Sequence, residues 1–517
     1  MAPSPSLLTS AAVSNPSVVL YLIALAAPLG IGLAAMGFGR AKNAAHTMSL
    51  AFIVVPLTVL AFAAIGFGFM CGGADAALGL NRWLIRSHGW GILGGGAIFL
   101  IGVAAPAFSL LLVNMIRVAV AAAITIGATA ERWRIDAFAC FTLLAAALIY
   151  PVVGCWVWGR GWFAHWGGID AGGSCAIHLQ AGTIALVAAL LLGPRAGKYD
   201  PRGRPRPLVG HHLPLALLGN GILALAIIAL NLVGADVDQA PRALLNSLLA
   251  AAAGAVAAGL LTRRLYTRPD PSLVGNGLLA GLVSIAAGCA VEGPYAALFT
   301  GVVAGCLVVP SVLQLELLGL DDPVGAVSMH GIGGLWGTLA VGFFAGRHGQ
   351  IGVQALGALA TIAWAFIAGA VCFRIVSWIF GRNRVTAAVE SAGLDVPQLG
   401  VAAYPEFLNP LTSTATPTHT PEPRPASLPT PTRGRHRYAI VIDSVDPATL
   451  IAAWSALCQA RDATPPPQFA AVYPFVTTVS GTRFRFNGGD PAQVRANLAE
   501  LLTAALGGKP VSTRLET

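Results

Sequence analysis

Long apolar runs separated by short polar ones fill the first three quarters of the chain. After them the pattern changes to short alternating segments. The runs fall near residues 17–38, 47–70, 102–129, 136–157, 175–193, 212–232, 243–262, 272–290, 295–315, 326–345 and 352–380. A helix of that length crosses about 30 Å of hydrocarbon, so the pattern predicts eleven membrane spans in an all-α polytopic domain. Residues 411–435, LTSTATPTHTPEPRPASLPTPTRGR, are rich in Pro and Thr and read as an extended linker. Then RYAIVIDSV (437–445) reads as a strand and DPATLIAAWSALCQA as a capped amphipathic helix. QFAAVYPFVTTV and TRFRFNGG form a hairpin across Ser480–Gly481, DPAQVRANLAELLTAAL a second helix, and PVSTRLE a closing strand. The order βαββαβ predicts a small α+β, ferredoxin-like domain. It shows no catalytic constellation and reads as an assembly or interaction module. The expected organisation is an N-terminal segment 1–16, a membrane domain 17–380, a C-terminal segment 381–410, the linker 411–435 and the soluble domain 436–517.

Composition agrees with the runs. Hydrophobic residues are 56% of the 517 and charged residues 10%, against about 25% charged in soluble proteins. That excludes a soluble enzyme, a disordered regulator or a nucleic-acid binder as a reading of the whole chain. The net charge of +9 divides unevenly. Residues up to Phe380 hold 19 basic and 12 acidic side chains, and the remainder 12 and 10. One set of alternate loops carries Arg40, Lys42, Arg132, Arg134, Arg195, Lys198, Arg202, Arg204, Arg206, Arg263, Arg264 and Arg268, with Arg382 and Arg384 after the last span. The other set carries only Arg82, Arg86, Arg160, Arg242 and Arg347. Cytoplasmic loops are the basic ones, so the N-terminus is expected outside and the C-terminus inside the cell (inner) membrane. The first residues carry no basic n-region, so no cleavable signal peptide is expected. The cysteines (71, 140, 155, 175, 289, 306, 372, 458) are scattered without a C-x-x-C pair, and neither a metal, a cofactor nor a disulfide framework is implied.

Two polar residues stand out in apolar surroundings. His178 in GGSCAIHLQAG lies near the start of the fifth run and His330 in DDPVGAVSMHGIGG within the tenth. An ionisable group in a span is a functional hypothesis by default, and the flanking small residues permit close helix approach. The fifth and tenth spans correspond if two five-span halves form an inverted repeat, which would bring the imidazoles together. A satisfied structural histidine is the alternative for either residue alone.

These residues carry a family resemblance. The chain resembles the ammonium transporter family, with its methylammonium permeases and Rhesus proteins, through MGFGRAKN (36–43), GATAERWR (127–134), VWGRGWFAHWGGIDAGGSCAIH (157–178), PSLVGNGLLAGLVSIAAG (271–288), LDDPVGAVSMHG (320–331) and ESAGLDVPQLGVAAY (390–404). The resemblance implies eleven spans, an outside N-terminus, a homotrimer with one pore per subunit, and ammonium or ammonia as substrate. It puts the paired pore histidines at His178 and His330, a recruiting aromatic at Trp158 and the acidic residue of the outer mouth at Asp170. A membrane-interface role for Trp158 and helix capping by Asp170 are the structural alternatives.

Other positions depart from the family. Where it has Phe-Gln-x-x-Phe in the third span this chain has Val113, Asn114 and Arg117. Leu230 stands where the partner gate Phe is expected, and Gly234 where the family has a hydroxyl. Guanidinium is not deprotonated in proteins, so a pore-facing Arg117 would repel ammonium. Asp236 and Asp238 at the outer end of the sixth span are candidate partners that could plug the entrance, and a subunit contact is its alternative environment.

Three readings follow: an ammonium channel, a weakly conducting or non-conducting ammonium sensor, and a transporter of another small solute. No enzyme is expected, since no nucleophile–base pair is evident. Relatives meet a trimeric PII regulator through residues that here read Leu399, Gly400 and Val401 in place of His-Gly-Glu. The fused domain is a possible replacement for that partner.

Overall fold

The computed structural model describes residues 15–87, 90–346, 348–405, 437–459, 469, 472–480, 482–487, 490–507 and 509–516. The chain divides into two compact units, Met1–Phe407 and Leu408–Thr517. The predicted linker lies outside the described residues.

Among the described residues of the first unit, ten helices are long and apolar enough to cross a membrane. They are Val18–Phe38, Ala41–Cys71, Ala105–Thr129, Ile135–Val157, Ser174–Leu192, Leu213–Val233, Val237–Tyr266, Pro294–Leu317, Val327–Phe344 and Gln350–Phe380. The run expected to span 272–290 is a shorter helix, Pro271–Ile285. It stops early because its next backbone groups bond elsewhere. The Ala287 N–H donates to Ser174 Oγ (2.7 Å), and the carbonyls of Ala286 and Ala287 accept from Gly172 (2.8 Å) and Ala171 (3.1 Å). In chain order this short helix is the eighth of eleven.

Side chains that are small where helices cross set the packing. A Cβ on Gly30 would lie 2.7 Å from the backbone nitrogen of Leu223, and one on Gly281 2.1 Å from the Ala250 carbonyl. Glycine removes the spacing a side chain imposes, so backbones approach closely. A two-stranded hairpin, β1 (Trp83–Ser87) and β2 (Trp90–Gly94), was not anticipated from the pattern and packs beside the fourth helix through the Trp156 Nε1–H bond to the Ile92 carbonyl.

The opposite end of the bundle, where Arg195 lies, holds a buried ion network. Arg195 makes a two-pronged contact with Asp321, at 2.8 and 2.9 Å, and reaches Glu131 at 3.4 Å. Glu131 also binds Arg40 at 2.7 Å, and Arg132 donates to the carbonyls of Ala128 and Asp321. Each carboxylate is paired, the condition for burying charge. Residues 383–405 lie against this end. Arg384 pairs with Glu390 at 2.7 Å, Leu394 N–H donates to Asn43 Oδ1 at 2.9 Å, and Asp395 Oδ1 accepts from His46 N–H at 2.8 Å. The short helix Asp395–Leu399 ends at Gly400, whose φ of +74° favours glycine.

In the second unit the sheet order is β4–β5–β3–β6, from β3 (Arg437–Ile442), β4 (Val476–Ser480), β5 (Arg483–Asn487) and β6 (Thr513–Glu516), with every neighbour antiparallel. Helices Pro447–Gln459 and Pro491–Ala505 supply Leu450, Trp454, Leu498 and Leu502 to a core with Ile440, Phe484 and Phe486. β4 is shorter than expected because Pro474, lacking an N–H, lies in a 3₁₀ turn before it. The hairpin register pairs Ser480 with Arg483; Gly481 lies outside the described residues.

Candidate functional site

The fifth and tenth helices cross through glycines. A Cβ on Gly182 would lie 2.2 Å from the Gly331 nitrogen, and one on Gly334 2.6 Å from the Leu179 nitrogen. At this crossing both helices open into a π-helical turn, Ser174–Leu179 and Val327–Ile332, a local widening that recurs at functional sites. Each turn carries one histidine. His178 Nδ1 and His330 Nδ1 are 3.1 Å apart, with the rings within 15° of parallel and their centroids 5.1 Å apart. Both residues are buried, at 0% and 2% exposure.

The two turns are built alike. Asp170 Oδ2 accepts from the backbone N–H groups of Cys175 (3.2 Å) and Ala176 (2.8 Å). Asp322 accepts from Gly325 (3.1 Å), Ala326 (3.0 Å) and Val327 (2.7 Å). Gly173 and Gly325 both adopt positive φ, +102° and +79°. The capping role written as the alternative for Asp170 is thus what its Oδ2 does, and Asp322 does the same for the other half. Sequence reasoning missed Asp322. The available signal was spacing, since D-x-x-G-x-x-x-x-H occurs at 170–178 and again at 322–330. This repetition is the local form of the two-fold relation between the halves.

Trp158 ends the fourth helix, and its Nε1–H donates to the Asp170 carbonyl at 3.0 Å. That bond fixes the indole against the loop that carries Asp170. The face of the ring is covered by Arg117, whose guanidinium carbon lies 3.9 Å from the ring centroid. Arg117 projects from the third helix and is 6% exposed. Its Nη1 donates to Asn114 Oδ1 at 3.1 Å, and Nη2 reaches the Ala171 carbonyl at 3.5 Å. Asn114 is turned by its own Nδ2–H bond to the Leu110 carbonyl, 2.9 Å. The expected pairing of Arg117 with Asp236 or Asp238 does not form. Asp236 lies just before the turn Val237–Gln239 and Asp238 within it, and the Arg117 guanidinium instead bonds Asn114 Oδ1 and the Ala171 carbonyl.

The remaining divergent positions follow from this packing. A Cβ on Gly234 would lie 2.2 Å from the Ala171 carbonyl, so no side-chain hydroxyl fits there without moving the Asp170 loop. Leu230 is buried in the main core and Val113 half-buried on the third helix. Between Arg117, Trp158, Tyr150, Ala176 and Ile177 lies a cavity with room for about one water-sized molecule.

The architecture and the buried imidazole pair define a polytopic helical membrane protein with a polar interior built on a two-fold repeat. The chain belongs to the Ammonium Transporter Family, whose sequence profile it matches over residues 17–404. It is 35% identical over 412 residues to ammonium transporter Amt2 of Archaeoglobus fulgidus, covering 73% of this chain and 85% of that one. It is 31% identical to an ammonium transporter of Bacillus subtilis, covering 72% and 94%. Among solved structures, a protein described as Sensor Amt Protein superposes with a TM-score of 0.68 at 29% identity, covering 74% of this chain and 97% of the other. The Mep2 fold of Candida albicans superposes with a TM-score of 0.66 at 23% identity, covering 77% and 91%.

Proposed function

We propose that the chain moves ammonium across the cell membrane as ammonia through a twin-histidine pore. The observation that carries this reading is the 3.1 Å contact between His178 and His330 in a buried helix crossing. A hydrogen bond between two Nδ1 atoms of neutral rings holds one proton. One ring then presents a bare Nε2 and the other an Nε2–H, so the pair accepts a hydrogen bond at one end and donates at the other. Such a pair passes a small neutral hydrogen-bonding molecule, and exchanging the tautomers moves a proton along it. Trp158 and Asp170 recruit the cation at the outer mouth: the indole face attracts it and the carboxylate holds negative charge at the helix entrance. In this reading the protein is a homotrimer with its N-terminus outside and C-terminus in the cytoplasm. Residues 436–517 form a ferredoxin-like regulatory domain that replaces a PII-type partner.

The test is solid-supported-membrane electrophysiology on proteoliposomes given ammonium pulses. Wild-type currents lost in both His178→Ala and His330→Ala support the pore; currents that persist in both remove the histidines from the pathway.

A second reading is an ammonium sensor with weak or no conduction. The observation favouring it is Arg117 seated on Trp158, together with the likeness to a structure whose description is Sensor Amt Protein. Wild-type silence with measurable ammonium binding supports this reading.

A further inference from the structure

We infer that Arg117 is a built-in competitor for the ammonium site: its guanidinium occupies the face of Trp158 that the substrate cation needs, and ligand binding must displace it.

The inference rests on the ammonium reading of Trp158 and adds what holds that site in its resting state. The side chain is positioned for the role. The guanidinium carbon lies over the indole, 3.9 Å from the ring centroid, within the range of a cation–π contact. Asn114, one turn earlier on the third helix, directs it through the 3.1 Å bond to Nη1. Asn114 is itself fixed by Leu110, so the pair is a built bracket. Asn114 and Arg117 are also the two residues that stand where the family's third-span glutamine and phenylalanine are expected, so bracket and competitor arise at the divergent positions together.

The seat is incomplete on both sides, as a displaceable ligand requires. Arg117 Nε is buried with no hydrogen-bond partner among the described residues, and so is Asp170 Oδ1. A guanidinium fully bonded in place would be costly to move, because each donor left unpaired in a buried site loses its hydration without return. Here one donor and one acceptor are already unpaired. When ammonium takes the indole face, the displaced guanidinium has an unpaired acceptor, Asp170 Oδ1, to turn toward. Cation and guanidinium thus exclude each other at Trp158. Their mutual repulsion across a water-poor site adds to the steric exclusion. An internal cation tethered to its site acts at an effective concentration of millimolar or more, which sets an ammonium threshold that a free indole would not have.

The geometry also fixes what else the emptied site would take. A pocket shaped to a planar guanidinium between indole, Asn114 Oδ1 and the Ala171 carbonyl accepts free guanidinium once Arg117 is shortened.

The experiment uses the full-length protein, with ammonium binding followed by calorimetry and by intrinsic tryptophan fluorescence. Arg117→Gln should bind ammonium about thirtyfold more tightly than wild type, the equivalent of one desolvated cation–π contact. Guanidinium chloride at low millimolar concentration should compete with ammonium in Arg117→Gln and not in wild type. Asn114→Leu keeps Arg117 and removes its bracket; it should raise ammonium affinity part of the way and serves as the second variant if Arg117→Gln is poorly folded. Affinity in folded Arg117→Gln and Asn114→Leu within twofold of wild type, with no guanidinium competition, overturns the competitor while leaving the ammonium site standing. Absence of ammonium binding in wild type and both folded variants overturns the site and the competitor together.

Discussion

Replacing Gly182 by alanine tests whether the imidazole pair depends on the helix crossing beneath it. The added Cβ would meet the Gly331 nitrogen at 2.2 Å and its Cα at 2.4 Å. Non-bonded contacts of this kind need about 3.4 Å or more, so the fifth and tenth helices must part by about 1 Å. Both obstructing atoms are backbone, so no rotamer change relieves the clash. A separation of that size takes the 3.1 Å imidazole contact beyond hydrogen-bonding distance. Overpacking of this sort costs about 3 kcal/mol. The reciprocal change is an internal control. A Cβ on Gly331 meets nothing nearer than 3.6 Å, ordinary van der Waals contact, so Gly331→Ala should be tolerated. We expect Gly182→Ala to lower the melting temperature in detergent and to abolish ammonium current or binding, with Gly331→Ala near wild type in both. Equal damage by the two substitutions, or a Gly182→Ala protein with unchanged melting and ammonium response, would refute the reasoning that the crossing positions the histidines.

Other outcomes follow from the rest of the molecule. Burial raises the Asp321 carboxyl, but hydrogen bonds and charge contact from Arg195, with Arg132, overcome that and hold it down to about 2. A carboxyl whose folded value lies below its unfolded value of about 3.9 contributes stability that is complete above that value and lost as pH falls from about 4 through 2. The contribution is about 2 kcal/mol. Asp321→Asn should therefore melt well below wild type at pH 6, and the gap should narrow as pH falls toward 3; a gap independent of pH would refute the assignment. A chain ending after Pro410 retains the whole core around the histidine crossing. It should keep the melting temperature of the membrane unit, and a loss of that transition would show that the second unit is needed for it.

The spans, the basic bias of alternate loops, the two histidines and the βαββαβ order were legible in the sequence because each is a one-dimensional signal. Hydropathy over about 20 residues reports a membrane crossing whatever the neighbours are, and alternation reports a strand. Family motifs then marked Trp158, Asp170, His178 and His330 before any geometry was known. What was not legible depended on partners distant along the chain. The eighth helix ends five residues early because the loop carrying Asp170 takes its backbone groups. Asp322 showed its role only once its carboxylate was seen capping the second π-helical turn. Gly234 could be marked as a departure, but not that the Ala171 carbonyl excludes a side chain there.

Arg117 separates the two kinds of knowledge most clearly. Sequence alone established a permanent cation at position 117, where the family resemblance leads one to expect an aromatic, since identity and charge belong to the residue. It could not say where that cation rests: acidic residues at 236 and 238 were as plausible by spacing as any other partner. Tertiary structure decided it, because a guanidinium at the end of a long, flexible side chain is placed by whichever helices pack within reach. In this fold those bring Asn114, the Ala171 carbonyl and the face of Trp158 around it.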